Sequence, residues 1–183
     1  ISVYASCNYT EGETVAFGTE ITFTGTDFDL ITGVTFAGGT TIAVGDDGCS
    51  YVENDGKITV TVPQTALTGI VKLNLANGTW LECPVLSVPQ PKVTKVDGIF
   101  KKGAEIVLTG ENLNLVASLR FPGAGGEVIT ITKGDDGFTE TDGTSITFSF
   151  PSDAQDGTAV MVTEAGAEVE AFVYETVAPT SIT

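Results

Sequence analysis

The feature that most constrains this chain is that it repeats. "GTEITFTGTDFDLITGVTFAG", Gly18 to Gly38, returns 85 positions later as "GAEIVLTGENLNLVASLRFPG", Gly103 to Gly123, with the glycines and apolar residues kept and almost every polar residue between them changed. The correspondence continues from Ile58-Thr-Val-Thr-Val-Pro63 to Ile146-Thr-Phe-Ser-Phe-Pro151, and each proline is followed six residues on by glycine, Gly69 and Gly157. Both halves also carry the tetrapeptide GDDG, at 45–48 and 134–137. A period of 85 to 88 residues is too long for a solenoid unit and matches a small autonomous β-sandwich, so the chain reads as two copies of one domain.

Within each copy the apolar residues alternate. Ile58, Val60 and Val62 share one face with Thr59 and Thr61 on the other, and Ile146, Phe148 and Phe150 repeat the arrangement. Such period-two runs are half-buried strands. Further alternation marks Val71–Leu75, Glu127–Thr132 and Val169–Tyr174, and no window of ten residues reads as an amphipathic helix. Short β-rich runs separated by Gly, Asn and Asp turns indicate an all-β fold of two tandem immunoglobulin-like sandwiches, about seven strands each. Phe23, Phe36, Phe121, Phe148 and Phe150 fall at core parity. Gly25 and Gly110 follow a strand where a sharp turn would need positive φ, with Phe28 and Leu113, then Leu30 and Leu115, pinning that turn to the core.

"Leu86-Ser-Val-Pro-Gln-Pro-Lys92" is a proline-bearing connector, extended and stiff because proline fixes φ and restrains the residue before it. It divides the chain into a first domain over 1–88, a linker over 89–92 and a second domain over 93–177, which should form a rod-like pair. The closing "Val177-Ala-Pro-Thr-Ser-Ile-Thr183" resembles the entry to the second copy, so 178–183 are expected to begin a further domain or linker.

A formal net charge of −16, from 24 acidic and 8 basic residues, repels phosphate backbones and anionic membranes and argues against nucleic acid as a partner. No apolar run approaches the roughly 20 residues that span a bilayer, and the first residues lack the basic and apolar regions of a signal peptide. The chain is therefore cytosolic, or its export segment lies outside it, and any membrane anchoring is through parts outside this sequence. Cys7, Cys49 and Cys83 show no CxxC spacing; one disulfide is possible and none is demanded. Asn8-Tyr-Thr10 and Asn77-Gly-Thr79 match the glycosylation triplet, which has meaning only in a eukaryotic secretory protein.

The arrangement G-x-E-I-x-[FL]-T-G-x-[DN]-[FL], then an apolar strand ending in Phe before glycine, then I-T-[VF]-x-[VF]-P with a downstream glycine, resembles the IPT/TIG family of immunoglobulin-like domains over 13–88 and 91–177. The opening "Ile1-Ser-Val-Tyr-Ala-Ser-Cys-Asn-Tyr9" departs from the proline-led first strand of that family. The resemblance implies a DNA-binding factor, a receptor ectodomain or a bacterial surface protein, and the acidic surface disfavours the first. Acidic, Gly- and Thr-rich tandem copies are most similar to surface glycan-binding lipoproteins of Bacteroidetes-type bacteria. That similarity implies an extracellular location at the outer-membrane surface, and early Ig-like domains that serve largely as spacers.

The complete absence of histidine removes Ser-His-Asp and Cys-His nucleophilic sites and every His-based metal centre. Asp46-Asp47 and Asp135-Asp136 could pair as acid and base, but adjacent residues on a glycine-flanked turn splay toward solvent and are read as turn residues, so the chain is expected not to be an enzyme and to need no cofactor. Calcium is the remaining candidate ion, with Asp27, Asp29, Asp46 and Asp47 as oxygen ligands, although the EF-hand pattern is absent and the second copy has Asn112 and Asn114 for Asp27 and Asp29. Carbohydrate binding needs an exposed aromatic platform with polar neighbours. Alternation along Trp80-Leu-Glu-Cys-Pro-Val85 puts Leu81, Cys83 and Val85 inward and Trp80 with Glu82 outward, and the matching positions of the second copy are Glu168 and Glu170. Trp80 and Glu82 are therefore ligand candidates, with Tyr51 near the first GDDG turn as a third; packing of Trp80 against a neighbouring domain or over the sheet edge is the competing reading.

These observations point to a non-catalytic bacterial cell-surface module, spacer and polysaccharide-binding part of a glycan-binding protein, acting as a monomer. Two alternatives stand beside it: an adhesin or structural stalk contacting another surface protein through its edge strands, and an accessory Ig-like module of a secreted hydrolase.

Overall fold

The computed structural model describes residues 5–135 and 137–177. The chain divides into two compact units, Ile1–Pro89 and Gln90–Thr183. In unit 1 the strands run β1 (Ala5–Cys7), β2 (Glu20–Gly25), β3 (Ile31–Thr35), β4 (Thr41–Ala43), β5 (Cys49–Val52), β6 (Lys57–Thr61), β7 (Gly69–Leu75) and β8 (Trp80–Leu86). Unit 2 repeats them as β9 (Lys92–Asp97), β10 (Glu105–Glu111), β11 (Val116–Pro122), β12 (Val128–Thr132), β13 (Thr139–Thr141), β14 (Ser145–Ser149), β15 (Gly157–Thr163) and β16 (Glu168–Tyr174). Each unit is a sandwich of two four-stranded antiparallel sheets. Unit 1 orders its sheets β1-β2-β6-β5 and β4-β3-β7-β8, and unit 2 orders them β9-β10-β14-β13 and β12-β11-β15-β16, the same topology. Among the described residues the only helical pieces are single 3-10 turns.

The structure draws eight strands per unit where the sequence spacing suggests about seven. The difference lies at the GDDG turns: β4 joins one sheet, the chain reverses through Gly45 to Gly48, and β5 joins the other sheet as its edge. The turn is closed by the Gly45 N–H donating to the Cys49 carbonyl at 2.9 Å and the Cys49 N–H to the Asp46 carbonyl at 3.0 Å, with Gly45 and Gly48 at φ of 97° and 84°. Three- and four-residue edge strands are too short to show a period.

The cores follow the alternation. Phe23, Phe28, Val34, Phe36, Ile58, Val60 and Leu73 fill unit 1, and Ile106, Leu113, Phe121, Ile146, Phe148 and Phe150 fill unit 2, all at most 3% exposed. Leu30 and Leu115 are only half-buried.

The positive φ lies two residues beyond the glycines expected to hold it. Asp27 (φ 56°) and Asn112 (φ 53°) are left-handed and lead into the 3-10 turns Phe28–Leu30 and Leu113–Leu115, whereas Gly25 and Gly110 are not. Gly110 serves close approach instead: a Cβ there would lie 1.9 Å from the Lys92 carbonyl oxygen, at the register shift between β9 and β10. In unit 1 the segment before β2 returns to the last strand, where Thr14 bridges Ser87 in parallel and the Val15 N–H donates to the Ser87 carbonyl at 2.8 Å.

Candidate functional site

The hairpin between β7 and β8 presents Trp80. Asn77 closes it: its Oδ1 accepts from the Thr79 N–H at 3.0 Å and the Thr79 hydroxyl at 2.6 Å, while Gly78 takes φ 84°. The Thr79 carbonyl closes the same tight reversal by accepting from the Leu75 N–H at 2.8 Å. Trp80 therefore opens β8 directly opposite Asn74, on the outer face of the β4-β3-β7-β8 sheet, and is 51% exposed. Lys72 reaches diagonally over the ring, its Nζ 4.3 Å from the centroid, a cation–π contact. Glu82 stands opposite Lys72 and is exposed.

Two rows on the outer side of this sheet follow the register, and of their residues Gly33 is buried. One runs Thr41–Thr35–Lys72–Glu82 and the other Ala43–Gly33–Asn74–Trp80. They are joined by hydrogen bonds: Asn74 Nδ2 donates to Thr35 Oγ1 at 2.7 Å, and the Thr35 and Thr41 hydroxyls are 2.7 Å apart. Trp80 and Glu82 were visible in the alternation as an outward pair. Lys72 and Asn74 carried the same signal in Val71-Lys-Leu-Asn-Leu75 but bear on Trp80 only through the strand register. The alternation fails beyond Cys83: a register shift between Ile70 and Lys72 against β8 turns Leu86 inward at 0% exposed and leaves Val85, expected inward, half-buried.

The same face of unit 2 is built differently. Its rows read Thr130–Arg120–Val160–Glu170 and Thr132–Ser118–Val162–Glu168, so valines stand where unit 1 has Lys72 and Asn74, and Glu168 stands where it has Trp80. Glu168 accepts a hydrogen bond from Arg120, closing an ion pair across that face.

Tyr51 lies on β5, in the other sheet from Trp80, half-buried against the core of unit 1. Partial burial raises its phenol pKa, with the Asp29 and Glu53 carboxylates adding to the shift. The structure thus does not bring Tyr51 together with Trp80 and Glu82. Asp27 and Asp29 flank Phe28 with exposed side chains, Asp46 and Asp47 are exposed on the GDDG turn, and no cluster of three or more acidic, cysteine or histidine side chains forms among the described residues. Asp136 lies outside the described residues.

All three cysteines are thiols: Cys49 and Cys83 are buried and Cys7 is half-buried. Burial, and then the nearby Cys7, pushes Cys83 up to about 12, and burial followed by Asp46 raises Cys49. Cys7 Sγ donates to the Tyr9 carbonyl at 3.4 Å, and the Tyr9 hydroxyl donates to the Pro84 carbonyl at 2.8 Å; burial, with the nearby cysteines, holds that phenol well above its ordinary range. Buried, protonated thiols are packing groups, not nucleophiles.

Two sandwiches of identical strand order, each with its own core, make this a tandem immunoglobulin-like β protein. The family model for the IPT/TIG domain matches residues 6–87, and the first sandwich belongs to that family; the second repeats its topology strand for strand. No curated protein matches the chain. Among solved structures, it is similar to SGBP-B of the Bacteroides ovatus mixed-linkage glucan utilization locus, in complex with a mixed-linkage heptasaccharide (22% identity, 85% of this chain and 38% of that one, TM-score 0.33). It is also similar to surface glycan-binding protein PbSGBP-B from Prevotella bryantii (18%, 93% and 42%, 0.39) and to a chimeric titin Z1Z2 tandem (15%, 96% and 100%, 0.38). The chain spans less than half the length of the two bacterial proteins.

Proposed function

We propose that this chain is a non-catalytic module of a bacterial cell-surface protein, in which the first sandwich contacts polysaccharide through Trp80 and both sandwiches act as spacers. The observation that carries the reading is the outward Trp80: the fold does not require an aromatic there, since unit 2 keeps the same scaffold with Glu168 in its place. A half-exposed indole offers a flat apolar surface to the C–H face of a pyranose, and the Asn74 amide beside it suits a sugar hydroxyl. A single platform binds weakly, and repeated units along one polymer multiply it through effective concentration. The likeness to surface glycan-binding proteins concerns the scaffold, so the reading stands on the Trp80 face. The absence of histidine and the solvated setting of Asp46 and Asp47 support a binding role without catalysis.

The test is affinity electrophoresis through gels containing plant and host polysaccharides. Retardation by at least one polymer is expected, with Trp80→Ala weakening it about tenfold, the loss of about 1.4 kcal/mol. Equal retardation of the variant would remove Trp80 as a contact, and no retardation with any polymer would favour an adhesin that meets another protein.

A further inference from the structure

Resting on that glycan reading, we propose that the ligand is an uncharged polysaccharide that crosses β8 and β7 at Trp80 and Asn74, and that Asn74 reads its hydroxyls. Trp80 and Asn74 are register partners on adjacent strands about 4.8 Å apart, a track of about one sugar ring. The track ends at Asn74, because Gly33, next in the row, is buried. The β4 backbone closes over it: a Cβ at Gly33 would sit 2.9 Å from the Ile42 carbonyl oxygen.

Asn74 is the polar group of this track. One of its two N–H groups is given to Thr35 Oγ1 at 2.7 Å, and Thr35 is in turn tied to Thr41 Oγ1 at 2.7 Å, so the amide is held in one orientation. An amide fixed in this way offers its Oδ1 as an acceptor to a hydroxyl stacked over the neighbouring Trp80. An oriented acceptor next to an aromatic plate discriminates among sugars by where their hydroxyls lie. Lys72 caps one side of the ring, so its cation is engaged on the indole rather than presented to an anionic ligand. The net charge of −16, with Glu82 two residues along β8 from Trp80, repels uronate or sulfated polymers. Unit 2 supplies an internal comparison: its equivalent row reads Thr132–Ser118–Val162–Glu168, lacking the amide and the indole at once. Both features that make the track are thus specific to unit 1, on a scaffold that folds without them.

Trp80 is the single tryptophan of the chain, so its emission reports this site without background. The whole chain would be titrated with hydroxyethyl cellulose, xyloglucan, amylose and galactomannan as neutral polymers and with polygalacturonate as the charged one, alongside gel retardation and melting curves. A saturable emission change with a neutral polymer is expected and none with polygalacturonate. Asn74→Val, the residue unit 2 holds at that position, should keep the melting temperature and lose at least fivefold in affinity; Asn74→Asp, which keeps the acceptor but discards the N–H to Thr35, tests the amide's orientation and should fall between the two. Undiminished affinity in Asn74→Val with an unchanged melt would overturn the role of Asn74. Binding of polygalacturonate as tight as that of neutral polymers would overturn the ligand class. Retardation without any emission change would overturn this track and Trp80 as the contact while leaving polysaccharide binding by the chain intact, whereas neither signal with any polymer would overturn both.

Discussion

At the scale of single residues, Asp27 shows how a side chain suggestive of metal binding can be spent on backbone geometry. With φ at 56° it occupies the left-handed region, which Asp and Asn enter at lower cost than other non-glycine residues. This is why its counterpart in unit 2 is Asn112 at φ 53°: the amide serves the turn as well as the carboxylate does. Asp27→Ala is expected to cost about 1 kcal/mol and Asp27→Gly less than about 0.5 kcal/mol in denaturant unfolding. Equal losses in both variants would show that the carboxylate itself matters. The sequence pattern located the turn but assigned its strain to Gly25 and Gly110, because glycine is the usual bearer of positive φ and the alternation carries no information on dihedral angles. Cys83 gives a second prediction. Its folded thiol is held at about 12, above the ordinary 9, so the protonated form is favoured by the fold. Its contribution is complete below about pH 9 and drains away as pH rises toward 12. Melting temperature should fall across that window, less steeply in Cys83→Ala, and alkylation of the folded chain at pH 8 should label Cys7 before Cys49 or Cys83.

Among the elements, long strands were legible and their irregularities were not. Ile146, Phe148 and Phe150 point inward on β14 and the adjoining residue as the period of two requires. Phe148 is 1% exposed and packs on Phe121 with ring centroids 5.7 Å apart. Phe148→Ala should therefore destabilise unit 2 by about 3–5 kcal/mol in denaturant unfolding, and a loss below about 1 kcal/mol would contradict its place in the core. The bulges near the ends of β7–β8 and β15–β16 are another matter. Each shifts the register, between Ile70 and Lys72 in one pair and between Ala159 and Val160 in the other, and so brings Leu86 and Tyr174 inward. A bulge is a decision of the pair, made by the partner strand and the twist of the sheet, and a single strand's residues do not announce it. The same limit governs the site: the outward direction of Trp80 could be read from β8 alone, whereas the link from Asn74 to Thr35 and Thr41 depends on the register of three strands.

For the whole molecule, the two units keep separate accounts of burial: one core is assembled from residues between Tyr9 and Val88 and the other from residues between Ile106 and Tyr174. Residues 1–89 and 90–183, produced separately, are each expected to give a cooperative melt and a β-type circular dichroism spectrum; failure of either to fold would show that its core is insufficient alone. Duplication of one topology also explains why the scaffold was readable from internal repetition while the binding face was not, since the face is where the copies disagree. One connection acquires a further meaning if the chain is pulled. In unit 1 the segment at Thr14 and Val15, which follows β1, lies parallel to Ser87 near the end of the sandwich. Opposite pulls at Thr14 and Ser87 would load this bridge and the Val15–Ser87 hydrogen bond together, along the strands rather than across them.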